Sequence, residues 1–211
     1  LDQAQGLQVV RGRGLERRVA LQRIDEMRDR RIIGTLVGRS EIVCADLALC
    51  TCQLQLRAIE PDHTGRAEDF EFVVKVHFLG TAYVTHAAWP ILRAKAYGRI
   101  VVTSSNSGIY GTFGQSNYGG AKPAGVGFMN ALRLEGQKYN IMMNALAPIA
   151  ATRMTESLMT PEALAKLKPE FVSPMVAFLC SEQCQRTGDI WSAGAGTFAR
   201  RGAVVAGTAG N

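Results

Sequence analysis

Apolar and polar positions fall into a regular order after Asp69, where stretches with a helical period alternate with short β-branched runs. The order strand, helix, strand, helix predicts a layered α/β fold. Residues 72–95 have the length and pattern of one long helix, interrupted at Pro90, whose ring and missing N–H force a kink or a restart. Gly98 and the Ser104/Ser105 pair bound the run Arg99-Ile100-Val101-Val102-Thr103, which reads as a buried central strand. Residues 104–115, rich in Ser and Gly, read as a loop at the C-terminal end of that strand, where open α/β sheets place their ligands. A second long helix is expected over residues 116–139, with Val126, Met129, Leu132 and Leu134 among its apolar positions. Residues 141–146 follow as a strand ended by Ala147-Pro148, and Pro161 marks a helix start after Thr160.

The first 66 residues carry a weaker pattern. Val9-Val10, then Gly12 and Gly14, then a charged amphipathic run to Arg31 reads as strand, tight turn and helix. Residues 41–44, just before Asp46, read as another strand, whereas residues 53–64 give no clear element. No internal repeat or low-complexity tract is visible, and the end of the chain, residues 199–211, reads as a loosely held tail.

Composition narrows the class. The chain of 211 residues is 47% hydrophobic and 20% charged, a globular balance. A single domain of this size buries roughly 70% of its unfolded surface. No apolar run approaches the roughly 20 residues that cross a bilayer, and charged residues stand where a secretory segment would be apolar, so neither a membrane span nor an export signal is expected. An odd count of five cysteines fits reduced thiols in the cytoplasm. Cys44, Cys50, Cys52 and His63 lack paired C-x-x-C spacing, and no metal site is expected. Residues 1–66 hold eleven Arg and no Lys, while all six Lys lie from Lys75 onward. Because Arg17, Arg18, Arg28, Arg30 and Arg31 alternate with Glu16, Asp25, Glu26 and Asp29, the stretch reads as a solvated helix face rather than a nucleic-acid surface.

The chemistry lies further on. Tyr118 and Lys122 stand four apart on a predicted helix and share one face. A phenol titrating near 10 is a poor base at neutral pH, and a neighbouring ammonium favours its phenolate. Ser105 lies at the end of the predicted central strand, where its hydroxyl can meet the same substrate oxygen. The bare Y-x-x-x-K spacing is a weak signal, because any helix can carry it.

Its flanks are far more specific. Residues 106–122, with Ser107-Gly108-Ile109-Tyr110-Gly111, Phe113-Gly114-Gln115 and Asn117-Tyr118, stand between Gly98-Arg99-Ile100-Val101 and Asn144-Ala145-Leu146-Ala147-Pro148. Together they resemble the short-chain dehydrogenase/reductase family, and within it the (3R)-hydroxyacyl-CoA dehydrogenase domains of multifunctional β-oxidation enzymes. The resemblance covers roughly residues 69–198. It implies a Rossmann-like doubly wound parallel sheet and an NAD- or NADP-dependent oxidoreductase that interconverts a secondary alcohol and a ketone, with a 3-hydroxyacyl thioester as the expected small-molecule substrate. It further implies that Tyr118 exchanges a proton with the substrate oxygen, that Lys122 holds the nicotinamide ribose, and that Ser105 orients the substrate. His77 matches a proton-relay position and is ranked as support. Pro148, Ile149 and Thr152 match the nicotinamide-side segment. Association into a homodimer or homotetramer through the two long helices is implied as well.

The likeness fails toward the N-terminus. The family's glycine-rich loop brings backbone and helix start to the cofactor diphosphate, and its best match here is Gly12 and Gly14. That alignment puts Val10 and Glu16 where the loop has glycines, and a carboxylate repels the diphosphate. Asp46 matches an acidic residue that contacts the adenine, yet nothing between Asp46 and His77 resembles the family's N-N-A-G segment. The expected division is therefore one domain with a divergent cofactor-binding half (residues 1–66), incomplete or rearranged, a catalytic half (67–198) and the tail (199–211). A catalytically impaired relative that acts in binding or dimerisation is the competing reading. Pro123, inside the second long helix, removes the bond to the Gly119 carbonyl at a cost of roughly 3 kcal/mol unless the helix kinks or restarts there, and a kink would shift Lys122 relative to Tyr118.

Overall fold

A computed structural model describes residues 42–44, 66–151 and 160–201. Their strands are β1 (Ile42–Cys44), β2 (Gly98–Thr103), β3 (Ile141–Pro148), β4 (Ile190–Gly194) and β5 (Thr197–Arg201), joined in that order into one sheet. β1 to β4 run parallel and β5 returns antiparallel along β4. The helices are α1 (Ala67–Val74), α2 (Gly80–Lys95), α3 (Asn106–Tyr110), α4 (Ser116–Gly136), α5 (Pro161–Lys166) and α6 (Ser173–Cys180).

Alternation along the buried strands sorts their side chains onto two faces. Ile100, Val102, Met143 and Ala145 pack with Val84, Ala88 and Leu92 of α2 and Met129 of α4. Val101 and Leu146 point the other way, onto Met175, Leu179 and Cys180 of α6 and onto Cys184. Helices therefore cover both faces, which is why β2 and β3 read as continuous apolar runs. Each fully buried Leu, Ile or Met contributes roughly 1.5–3 kcal/mol to this core.

The expected α/β alternation is present, with several corrections. The interruption in the first long helix lies at Lys75–Leu79, a π-helical turn in which the Gly80 N–H reaches back to the Lys75 carbonyl, and not at Pro90. Pro90 and His86 lie on the exposed side of α2, so the His86 carbonyl that loses its helical donor is on the solvent side. Residues 104–115 are not all loop, because Ser105 caps the short helix α3. β3 extends two residues beyond Leu146, since Ala147 and Pro148 still pair with Ser192 and Ala193. Ala199, Arg200 and Arg201, the first residues of the expected tail, belong to β5, and the rest of the tail lies outside the described residues.

Pro123 does not break α4, which runs unbroken from Ser116 to Gly136. The residue that makes room for it is Gly108 in α3. A Cβ placed there would stand 2.6 Å from the Pro123 Cδ and 3.3 Å from the Gly119 carbonyl oxygen, the carbonyl that the proline leaves without its helical donor. The proline thus docks α3 onto α4 and holds the segment between them.

Candidate active site

The second long helix begins where β2 ends. Early in α4, the Asn117 carboxamide oxygen accepts the Tyr118 N–H at 2.7 Å, satisfying one of the donors a helix start leaves unpaired. This fixes the half-buried Tyr118 at the C-terminal edge of the sheet. One turn on, Lys122 is only 4% exposed, and its ammonium donates to the carbonyl of Thr103, the last residue of β2, at 3.2 Å. Burying an ammonium is costly unless acceptors replace water, and a strand-end carbonyl does so here. Lys122 Nζ lies 5.9 Å from the centre of the Tyr118 ring.

His77 enters from the π-helical turn. Such turns insert an extra residue into a helix and redirect the side chains beside it. The buried imidazole meets the Tyr118 ring edge to face, with centroids 5.2 Å apart and planes at 86°. Burial, and after it the Lys122 charge, lower the His77 pKa from 6.5 to about 3. At physiological pH the imidazole is neutral, so it adds no second positive charge beside Lys122.

Ser105 follows Thr103 by two residues, in extended conformation, and caps α3 by accepting the Ser107 N–H on its Oγ at 3.2 Å. The cap uses the hydroxyl as an acceptor and leaves its own hydrogen to donate. Pro148 is exposed at the end of β3, and the Ile149 N–H donates to the Ala193 carbonyl at 2.8 Å. A Cβ at Gly194 would stand 2.5 Å from the Ile149 carbonyl oxygen, so only glycine lets the chain leaving β3 pass so close to β4. Tyr118, Lys122 and His77 are thus brought into one cluster, Ser105 stands at the end of the strand that anchors Lys122, and Pro148 and Ile149 follow the neighbouring strand. Gly12, Gly14, Asp46 and Thr152 lie outside the described residues.

Two contributors escaped the sequence reading. The Thr103 carbonyl that holds Lys122 is a backbone group, invisible to a side-chain motif. Asn144 is buried in β3, where its amide nitrogen donates to the Arg186 carbonyl at 2.8 Å and its oxygen accepts the Asp189 N–H at 3.2 Å, fixing the approach to β4. A polar residue inside an otherwise apolar strand was the signal.

Nearby polar atoms show what kind of ligand suits this region. Ser104 Oγ, Asn106 Oδ1 and Gln115 Oε1 are buried without a hydrogen-bond partner among the described residues, and all belong to the segment between β2 and α4. On α4 itself, the Lys122 ammonium and the Tyr118 phenol, one turn apart, are a donor and acceptor pair that suits the hydroxyls of a nucleotide ribose.

The likeness to known proteins agrees. The short chain dehydrogenase family model matches residues 56–163, and the chain belongs to that family. It is 52% identical over 138 residues to a short-chain type dehydrogenase/reductase of Mycobacterium tuberculosis, a match covering 65% of this chain and 48% of that protein. To peroxisomal multifunctional enzyme type 2 of Mus musculus it is 46% identical over 129 residues, covering 61% of this chain and 18% of that one. The solved full-length peroxisomal multifunctional enzyme type 2 of Drosophila melanogaster superposes with a TM-score of 0.62 at 37% identity, over 70% of this chain and 26% of the fly chain. The chain spans about half the length of its mycobacterial relative and less of the multifunctional enzymes.

Proposed function

We propose that this chain is an NAD(P)-dependent oxidoreductase that interconverts a secondary alcohol and a ketone, with a 3-hydroxyacyl thioester as substrate. The observation that carries the reading is the cluster of Tyr118, buried Lys122 and neutral His77 at the C-terminal end of β2, the strand that Ser105 follows by two residues. The thioester assignment rests on the flanking sequence and on the likeness to peroxisomal multifunctional enzymes.

NAD(P), which family members generally use, supplies or accepts the hydride when bound. The residues that would hold its nicotinamide end are Tyr118, Lys122, Pro148 and Ile149. In the reducing direction Tyr118 donates its phenolic proton to the substrate oxygen, and in the oxidising direction it takes that proton back. Ser105 donates a hydrogen bond to the same oxygen and orients it. The Lys122 ammonium, held by Thr103, stabilises the negative charge that develops on the Tyr118 oxygen during transfer. His77 packs against the Tyr118 ring and keeps it in place. Pairing of two copies through α2 and α4 belongs to the same reading, and light scattering should show a dimer or a larger assembly.

Titration with NADH and with NADPH, followed by nicotinamide fluorescence, together with turnover of an acetoacetyl thioester, tests the proposal. Saturable binding and a turnover that Tyr118→Phe removes are expected. A folded protein that binds neither nucleotide at millimolar concentration would instead favour the impaired, binding-only reading.

A further inference from the structure

The short helix that carries Ser105 meets the long helix that carries Tyr118 and Lys122 where Gly108 packs on Pro123. On the first side, the opening turn of α3 holds Ser105 by three amides. The Ser107 N–H donates to Ser105 Oγ at 3.2 Å, and the Gly108 and Ile109 N–H groups donate to the Ser105 carbonyl, both at 3.1 Å. Ser105 therefore moves with α3. On the other side, Gly119 follows Tyr118 and Pro123 follows Lys122 in α4.

Gly108 faces both. A Cβ built on it would lie 2.6 Å from Pro123 Cδ, 2.7 Å from Pro123 Cγ and 3.3 Å from the Gly119 carbonyl oxygen. Its backbone is helical, a conformation open to every L-residue, so space alone excludes a side chain. The contact runs through a glycine, a proline ring and a backbone carbonyl, none of which can swing aside.

The two sides differ in what holds them. α4 is 21 residues long and buries Ala121, Lys122, Gly125 and Met129, whereas α3 has five residues, buries none and runs into Gly111, left-handed with φ 82°. An atom forced between them displaces α3 and leaves α4 in place. Opening the contact to ordinary carbon separations moves α3, and Ser105 with it, by about 1 Å. A misplacement of that size near the reacting atoms costs roughly 10²-fold in turnover.

We propose that Gly108 and Pro123 are positioning residues, whose contact sets Ser105 of α3 against the Tyr118 and Lys122 pair of α4. This role rests on the dehydrogenase reading. It makes the fit of two helices, rather than any reacting group, the device that holds the orienting hydroxyl and the proton donor to one geometry.

Four proteins test it: wild type, Gly108→Ala, Pro123→Ala and the double variant. In Gly108→Ala the kcat for an acetoacetyl thioester should fall roughly 10- to 100-fold, while the Kd for NADH and NADPH, read from nicotinamide fluorescence, changes by less than about twofold. In the Pro123→Ala background the same change should cost less than about threefold, because the ring it strikes is gone. Pro123→Ala alone adds no atom and returns an amide donor to the Gly119 carbonyl, yet it removes the seat of α3 and should lower kcat about threefold, so it reports on the contact even where Gly108→Ala does not fold. Urea unfolding gives a readout apart from turnover: Gly108→Ala should lower the midpoint beside Pro123 and not in the Pro123→Ala background, since alanine is otherwise the better helix former. Equal losses in the two backgrounds, an unchanged kcat in both single variants, a kcat loss matched by lost nucleotide affinity, or a loss that tracks a changed assembly state on light scattering would each overturn the positioning role. A wild type that turns over no thioester removes the dehydrogenase reading and this role with it, whereas any of those outcomes in an active wild type removes the role alone.

Discussion

The two ends of α4 present the same chemical pair in opposite settings. At the start, Tyr118 stands beside Lys122, which is buried and held by a strand-end carbonyl. Beyond the other end, Tyr139 stands between Arg93 and Lys138, both exposed to water. Tyrosine near a cation is therefore not the informative feature. What distinguishes the first pair is that its cation is buried, so the Lys122 charge is less screened there and adds to the larger effect of burial in lowering the His77 pKa. At the exposed pair solvent screens the same charges, and the cations are bonded to the Tyr139 hydroxyl at the surface.

This contrast can be broken at its strongest point first. Tyr118→Phe should lower turnover by roughly 10² to 10⁴-fold, the usual contribution of one acid/base group, with nucleotide affinity nearly unchanged. Steady-state kinetics beside a binding titration would reveal the split, and a fully active variant would remove Tyr118 from the mechanism. Lys122→Met should cost roughly 10² to 10³-fold in turnover while moving unfolding free energy by about 1–3 kcal/mol at most, because removing the buried charge offsets part of the cost of leaving the Thr103 carbonyl without its donor. Urea unfolding of the same preparation checks the second half, and a large loss of stability would mean that Lys122 is chiefly structural.

A pH series sharpens the role of burial. The folded-state pKa of His77 is depressed to about 3 from 6.5, so below 6.5 the unfolded chain binds a proton that the folded one refuses. The stability from its neutral burial is thus complete above pH 6.5 and falls by about 1.4 kcal/mol per unit as pH drops toward 3. Wild type and His77→Asn, unfolded in urea at pH 7.5 and pH 5, should differ in this loss by about 2 kcal/mol, and equal slopes would show that His77 titrates freely. The smallest effect is expected at the exposed end, where Tyr139→Phe should leave the unfolding midpoint unchanged in the same assay. A loss there would mean that the Arg93 bond braces the fold.

Much of this was legible from residue order alone. Apolar periodicity placed β2, β3, α2 and α4 within a few residues, because helices and strands that bury a face must repeat at their own period. The run from Ser105 to Lys122 carried the catalytic candidates, since the chemistry depends on side chains whose spacing is local. Errors arose where a distant partner decided the outcome. Pro123 looked like a kink, and only the packing of Gly108 shows how a proline is accommodated inside α4. The helix containing His77 looked regular except at Pro90, and the π-helical turn that aims the imidazole at Tyr118 has no local signature.

The sequence by itself determined the family, the layered α/β class and the candidate site residues, all properties of neighbours along the chain. Tertiary structure alone decided which of two tyrosine–cation pairs has its cation buried. It also showed that a backbone carbonyl of β2 anchors Lys122. Each of these depends on contacts between segments tens of residues apart, and burial, which sets the strength of every charge in the molecule, exists only once those segments have packed.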